Sequence, residues 1–143
     1  MKSLQQLIDG KAKKLVTIDQ GETVFAALTL MAQYDIGALL VMAENKPVGV
    51  FSERDYARKV ILHGKASKDV AVREVMSETI IYVTLTETVE ECMAIMTDRR
   101  IRHLPVLNED GTVAGFLSIG DLVKETISEQ SFIIGQLMHY ITH

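Results

Sequence analysis

Two short stretches of this sequence carry residues able to do chemistry, and they share one spacing. Gly49-Val50-Phe51-Ser52-Glu53-Arg54-Asp55 and Gly115-Phe116-Leu117-Ser118-Ile119-Gly120-Asp121 both read glycine, two apolar residues, serine, two variable positions and aspartate. Ser-x-x-Asp ahead of an apolar helix is a capping-box pattern, in which hydroxyl and carboxylate satisfy the first free N–H groups of the helix. The same groups can serve a ligand. Amides at a helix start point outward toward an anion, and a serine hydroxyl there can hydrogen-bond a phosphate. An aspartate at that place can accept hydrogen bonds from both hydroxyls of a ribose. The helix-start reading accounts for each stretch taken singly. Three features favour a binding role as well: the pattern occurs twice, its glycine permits close backbone approach, and Gly120 stands in the first helical turn, where a better helix former is expected.

Basic residues flank these stretches. In Arg99-Arg100-Ile101-Arg102-His103-Leu104-Pro105-Val106 the first two arginines fall at a predicted helix C-terminus and complement its dipole. Arg102 and His103 fall at a strand entrance, where they could line a pocket beside Ser118 and Asp121; an ordinary polar loop residue fits His103 equally well. Arg54 and Arg58 are four apart and share a helix face, either as a phosphate clamp or as a solvated surface. Neither Gly-x-x-x-x-Gly-Lys-Ser/Thr nor Gly-x-Gly-x-x-Gly occurs. His139 and His143 are four apart but at a tail end, and no histidine set has credible metal-ligand spacing. Cys92 lies on an apolar helix face and reads as core. No catalytic and no metal-ligating residue is predicted, and the chain is read as a non-enzyme.

The elements that must position these residues form an internal repeat. Val24 and Val89 stand 65 positions apart, as do Val41 and Val106. Past one inserted residue near Asp110-Gly111, Asp55 and Asp121 stand 66 apart. Each copy opens on a β-branched strand, Leu15–Ile18 or Ile80–Val83. An amphipathic helix follows, with Val24, Ala27, Leu28 and Met31, or Val89, Cys92, Met93 and Met96, at i, i+3, i+4 and i+7. Two strands then pair through a turn, Glu44-Asn45-Lys46 or Asn108-Glu109-Asp110-Gly111. A second helix closes each copy, Glu53–His63 or Ile119–Ile127. The fold class is therefore α+β, two β-α-β-β-α repeats with small mixed sheets. The predicted divisions are 1–64, the first repeat with an N-terminal helix; 65–77, a linker with a short helix around Val72 to Met76; 78–127, the second repeat; and 128–143, a C-terminal helix whose apolar face packs on the pair or on a second chain.

The 143 residues make about one ordinary domain, with 48% hydrophobic and 24% charged residues, a globular balance. No run of 18 apolar residues and no signal-peptide pattern is present, so neither a membrane span nor secretion is predicted. A single cysteine excludes an intrachain disulfide and fits a reducing, cytoplasmic setting. A formal net charge of −4 disfavours a broad nucleic-acid-binding face.

The paired repeat, each copy closing on Gly-h-h-Ser-x-x-Asp, resembles the cystathionine β-synthase (CBS) domain pair, or Bateman module, from Leu15 to about Ile127. Ser52-Glu53-Arg54-Asp55-Tyr56 and Arg102-His103-Leu104-Pro105-Val106 are especially similar to small stand-alone prokaryotic members. The resemblance implies repeats related by a pseudo-two-fold axis, and an adenosine-containing ligand in the cleft between them: AMP first, then NAD or ATP, then S-adenosylmethionine. It implies a stronger site in the second copy from Ile81, Tyr82, Arg102, His103, Leu104, Pro105, Ser118 and Asp121. The weaker first-copy site would use Thr17, Gly37, Ala38, Ser52 and Asp55, because Gly37-Ala38 replaces the basic pair. Arg54 and Arg58 would reach the phosphates. It further implies a homodimer and regulation of a separate protein partner, as in energy sensing or signal transduction. Two other classes stand beside this one: a dimeric interaction or nucleic-acid-binding protein with no nucleotide, and a nucleotide-hydrolysing enzyme.

Overall fold

The structure, a computed structural model, describes residues 1–11, 15–78 and 80–142. Its chain divides into two compact units, Ala12–Ile81 and a composite of Met1–Lys11 with Tyr82–His143. Each contains one α+β repeat with a three-stranded mixed sheet.

In the first unit, β1 (Thr17–Asp19) runs parallel to β2 (Ala38–Ala43), which pairs antiparallel with β3 (Lys46–Ser52). Helix α2 (Val24–Tyr34) joins β1 to β2 and starts at Thr23, whose side chain accepts from the Ala26 N–H. The β2–β3 connection is two residues long, and Glu44 and Asn45 both take positive φ, as the tight turn matched to strand twist demands. The apolar stripe of α2 (Val24, Ala27, Met31) is buried against Leu39, Val41 and Phe51 of the sheet. The predicted helix Glu53–His63 has a different form: four α-helical residues, α3 (Glu53–Tyr56), run into a π-helical turn, Ala57–Ile61, that buries Val60.

Residues predicted as a linker complete this core. A 3₁₀ turn, Val72–Glu74, buries Val72, and Val70 and Val75 are buried on either side of it. The segment is stitched down by backbone bonds from Val24 N to Val70 O, Val72 N to Glu22 O and Ser77 N to Val50 O, each 2.8 Å long.

The second unit repeats the pattern. β4 (Val83–Thr84) is parallel to β5 (His103–Leu107), which pairs antiparallel with β6 (Val113–Ser118). Both hairpins carry a register irregularity at equivalent places, Val41/Met42 and Val106/Leu107. Helix α4 (Val89–Arg99) is capped by a Thr88–Glu91 box and buries Val89, Cys92 and Met96. Burial, then the carboxylates Glu87 and Glu91, push the Cys92 thiol up to about 11, as suits a core residue.

Two boundaries differ from those predicted. The N-terminal helix α1 (Leu4–Asp9) was assigned to the first repeat, but it packs within the second unit: Leu4 is buried, Ile8 lies against Gly115, and Lys2 N donates to the 8% exposed Glu125. The C-terminal helix is not separate. One helix, α5 (Ile119–Thr142), runs unbroken for 24 residues, about 36 Å at 1.5 Å per residue. Its first turns bury Leu122 and Glu125, whereas every residue from Gln130 to Thr142 is exposed.

Candidate functional site

Each Ser-x-x-Asp stretch sits where a strand turns into a helix, and each forms a reciprocal cap. In the first unit Asp55 N donates to Ser52 Oγ (3.2 Å), while Ser52 N and Oγ donate to Asp55 Oδ2 (2.9 and 3.1 Å). In the second, Asp121 N donates to Ser118 Oγ (3.1 Å) and Ser118 N to Asp121 Oδ2 (2.8 Å). The capping reading is thus realised in both copies. The residue after each serine ties the helix start to the entrance of the neighbouring strand: Glu53 N donates to Gly37 O and Ile119 N to Arg102 O.

The two acids then diverge. Asp55 Oδ1 is taken by Lys59 Nζ at 3.2 Å, one helical turn further on, and that ammonium also donates to Val75 O. Asp121 receives its cation from outside its helix. Lys11 Nζ stands 2.9 Å from Asp121 Oδ2 and donates to Phe116 O at 2.7 Å. Among the described residues every donor to the Asp121 carboxylate reaches Oδ2 and none reaches Oδ1, and the side chain keeps 28% of its exposure. Burial alone would raise the Asp121 pKa; the Ser118 N–H and Lys11 outweigh it and hold the carboxyl below 3.8.

His103 opens β5 directly opposite Ser118 and stacks on Phe116, with ring centroids 5.4 Å apart and planes at 21°. Burial first, then the positive charge of Lys11, pushes its pKa below 6.5, while Asp121 pulls the other way. His103, Phe116, Ser118, Asp121 and Lys11 therefore form one half-buried polar group at the mouth of α5. Neither Lys11 nor Phe116 was among the predicted site residues. A cation about a hundred positions away in sequence gives no local signal.

The remaining predicted residues are dispersed in character. Leu104 and Pro105 are buried strand residues, so only their backbones can face a ligand. Arg102 is exposed beside His103, and Tyr82 is 56% exposed. In the first unit Thr17 and Gly37 are exposed, Ala38 is buried, and Ile81 is half-buried at the unit's end. Arg54 and Arg58 are both exposed, but a π-helical turn begins between them, so the simple i, i+4 face does not carry over.

The motif glycines have an explanation other than ligand approach. A Cβ on Gly49 would stand 2.6 Å from Met76 Sδ and 2.8 Å from Ser77 O, and one on Gly115 would stand 2.8 Å from Ile8. Both make room for a covering segment. Gly120 is not sterically required, since the nearest atom to its Cβ would be Ser118 Oγ at an ordinary 3.5 Å. Among the described residues no three of His, Cys, Asp and Glu cluster closely enough to hold a metal ion, and no helix is long and apolar enough to cross a membrane.

Comparison with known proteins agrees with the repeat. The family model described as CBS domain matches twice, at residues 11–62 and 72–128. The Arabidopsis thaliana protein CBSX3, described as a mitochondrial CBS domain-containing protein, is 38% identical over 99% of this chain and 69% of its own length. The structure of a protein with CBS domains from Burkholderia ambifaria superposes with a TM-score of 0.84 and 42% identity, covering 90% of this chain and 96% of that one. The CBS domain pair of protein MJ0100, in complex with 5′-methylthioadenosine and S-adenosyl-L-methionine, superposes with a TM-score of 0.78 over 90% of this chain and 98% of that one; at 18% identity it speaks for the fold alone.

Proposed function

The chain belongs to the CBS domain family, and on that premise we propose that it is a regulatory module that senses an adenosine nucleotide rather than an enzyme that transforms one. The ligand is AMP first, then NAD or ATP, with S-adenosylmethionine last. It acts by favouring one conformation of the module, which a separate protein partner reads.

One observation carries this reading: Asp121 stands half-exposed at the mouth of a long helix with Oδ1 uncommitted, beside the His103–Phe116 stack and a lysine ammonium. A ribose diol can donate to Oδ1 while Oδ2 keeps the cap. The capping role and the ligand role are compatible because they use different oxygens. Asp55 has both oxygens engaged by Ser52 and Lys59, which supports ranking Ser118 and Asp121, with Arg102, His103 and Tyr82, above Ser52, Asp55 and Thr17. Arg54 and Arg58, both exposed, remain the proposed phosphate contacts.

Calorimetry on the full chain tests the reading. Asp121→Ala removes charge-assisted hydrogen bonds worth ~1.5–3 kcal/mol, which corresponds to roughly 10- to 100-fold weaker AMP binding. Equal affinity in wild type and variant, with both melting cooperatively, sinks the site. Failure of every adenosine compound to stabilise the protein, together with salt-sensitive retention of RNA or DNA, would point to the nucleic-acid alternative.

The module is further proposed to be a homodimer joined through the distal part of α5. Phe132, Ile134, Leu137, Met138, Tyr140 and Ile141 are all at least half-exposed there, up to 84% for Tyr140, a larger apolar face than a monomer ordinarily leaves bare. From Gln130 to Thr142 the helix carries no Asp, Glu, Lys or Arg. It offers a charged partner nothing to read and repels no copy of itself.

A further inference from the structure

We propose that residues 1–11 form a releasable strap over the second unit, latched at its far end by Lys11 on Asp121, and that occupancy of the Asp121 site holds this strap shut. The strap stands on its own contacts; its link to a ligand rests on the nucleotide-sensing reading above.

The two units are closed by matching segments in unlike ways. Leu4, Leu7 and Ile8 correspond to Val72, Val75 and Met76, each 68 positions on, and Asp9 then corresponds to Ser77. In the first unit the segment is joined to its repeat through the main chain. Val72 N donates to Glu22 O, Arg73 N to Gln20 O, and Ser77 and Val50 exchange both bonds. In the second unit, among the described residues, the backbone–backbone bonds of residues 1–11 stay within the segment, as from Leu7 N to Ser3 O and from Gly10 N to Gln6 O. Phe116 O, which matches Val50 O, accepts from the Lys11 ammonium at 2.7 Å. A side chain thus stands where the first unit has a main-chain bridge.

Elsewhere the segment is held by buried Leu4, by Ile8 against Gly115, and by Met1 N and Lys2 N on Glu129 and Glu125 of α5. A helix as short as the six residues of α1 does not hold its own hydrogen bonds in water, so it persists only while docked. Segments tied down by few main-chain bonds are those that open locally, ahead of global unfolding.

The lysines are placed in reverse in the two units. Lys59 follows the motif acid Asp55 and reaches out to the covering segment at Val75 O. Lys11 belongs to the covering segment and reaches in to Asp121. Either way the motif acid is joined to the cover of its sheet. At Asp121 the latch uses Oδ2 and leaves Oδ1 to a ligand. A diol on Oδ1 and the ammonium on Oδ2 therefore bind together, and each fixes the carboxylate that the other needs. The coupling is favourable and reciprocal: ligand shuts the strap, and the shut strap strengthens ligand binding by the same factor.

Hydrogen exchange on the full chain, followed by NMR, tests this. In free wild type the amides of Leu7 and Gly10 should exchange faster than those of the β5–β6 ladder. Lys11→Met should speed the first group by roughly five- to tenfold and leave the ladder unchanged, with Lys11→Arg close to wild type. One common rate for both groups in wild type, or unchanged α1 exchange in Lys11→Met, overturns the strap. The wild-type comparison decides this alone should the variant fail to fold. AMP should slow α1 exchange in wild type, by about the factor through which Lys11→Met weakens AMP binding in calorimetry. AMP that binds and leaves α1 exchange unchanged overturns the link to the site. Wild type that binds no AMP is a different failure: it removes the nucleotide-sensing reading and the link with it, while the rates in free protein still decide the strap.

Discussion

Ile8 and Gly115 are in direct contact, a residue of the N-terminal helix seated on a bare backbone position of β6: a Cβ added at Gly115 would stand 2.8 Å from the Ile8 side chain. The glycine of the duplicated motif is therefore a packing residue, and its replacement has a defined consequence. Gly115→Ala should destabilise the protein by about 1–3 kcal/mol, as overpacking does in a dense core. Gly115→Ala combined with Ile8→Ala should cost less than the two single changes added together, because the truncated side chain admits the new methyl. Urea unfolding of the four proteins closes the cycle. Strict additivity would mean that the two residues do not touch.

Leu4 lies in the N-terminal helix that the sequence assigns to the first repeat, and within the second unit it is 1% exposed. Leu4→Ala should cost about 2–5 kcal/mol, the ordinary effect of emptying a buried leucine site. A thermal melt within a degree of wild type would show that α1 does not complete the second unit's core.

His103 predicts a pH dependence with a definite sign. Its folded pKa lies below its ordinary 6.5, so the unfolded chain binds the proton more readily. Stability therefore falls as pH drops through 6.5, and this loss stops once pH passes below the folded value. His103→Gln, although it loses the stack on Phe116, should show a flatter stability profile between neutral pH and about pH 5. Identical slopes in denaturant titrations across that range would remove the effect from His103.

Leu137 tests the proposed homodimer. Leu137→Asp places a carboxylate in the middle of the exposed face of α5 and, in a symmetric pair, sets it against its own copy or against apolar side chains. Light scattering should show wild type at twice the chain mass and the variant at the chain mass, with helix content retained. A wild-type chain that elutes as a monomer at high concentration contradicts the proposal directly.

Much of the fold is legible because its signals are local. The α2 and α4 stripes, the Thr23 and Thr88 caps and the Asp110-Gly111 turn each lie within a few residues of what they determine. What escapes is long-range. Leu4, Leu7 and Ile8 match Val72, Val75 and Met76 at one spacing, and the last of each trio, Ile8 or Met76, lies against a motif glycine. Each trio, however, is short and stands far from its repeat's strands, so it reads as an end or a linker. The division expected between residues 127 and 128 does not interrupt α5, which also runs on through Gly135, since an isolated glycine costs only about 1 kcal/mol in a helix. At the candidate site Ser118, Asp121 and His103 stand together as expected. Lys11 could not have been placed there, because its ion pair closes over 110 residues.

The composite make-up of the second unit sets an order of events during synthesis. Strands β1 to β3 are followed within a few dozen residues by the Val70–Ser77 stretch that seals them, so this half can close while the ribosome is still translating the next. Helix α1, upstream of these strands, has no such nearby partner. α1 must wait, with Leu4 bare to solvent, until Glu125 emerges 123 positions after Lys2. Such distant pairing is slow, and a nascent chain halted before β6 would carry a finished first half and an N-terminus still exposed to chaperones.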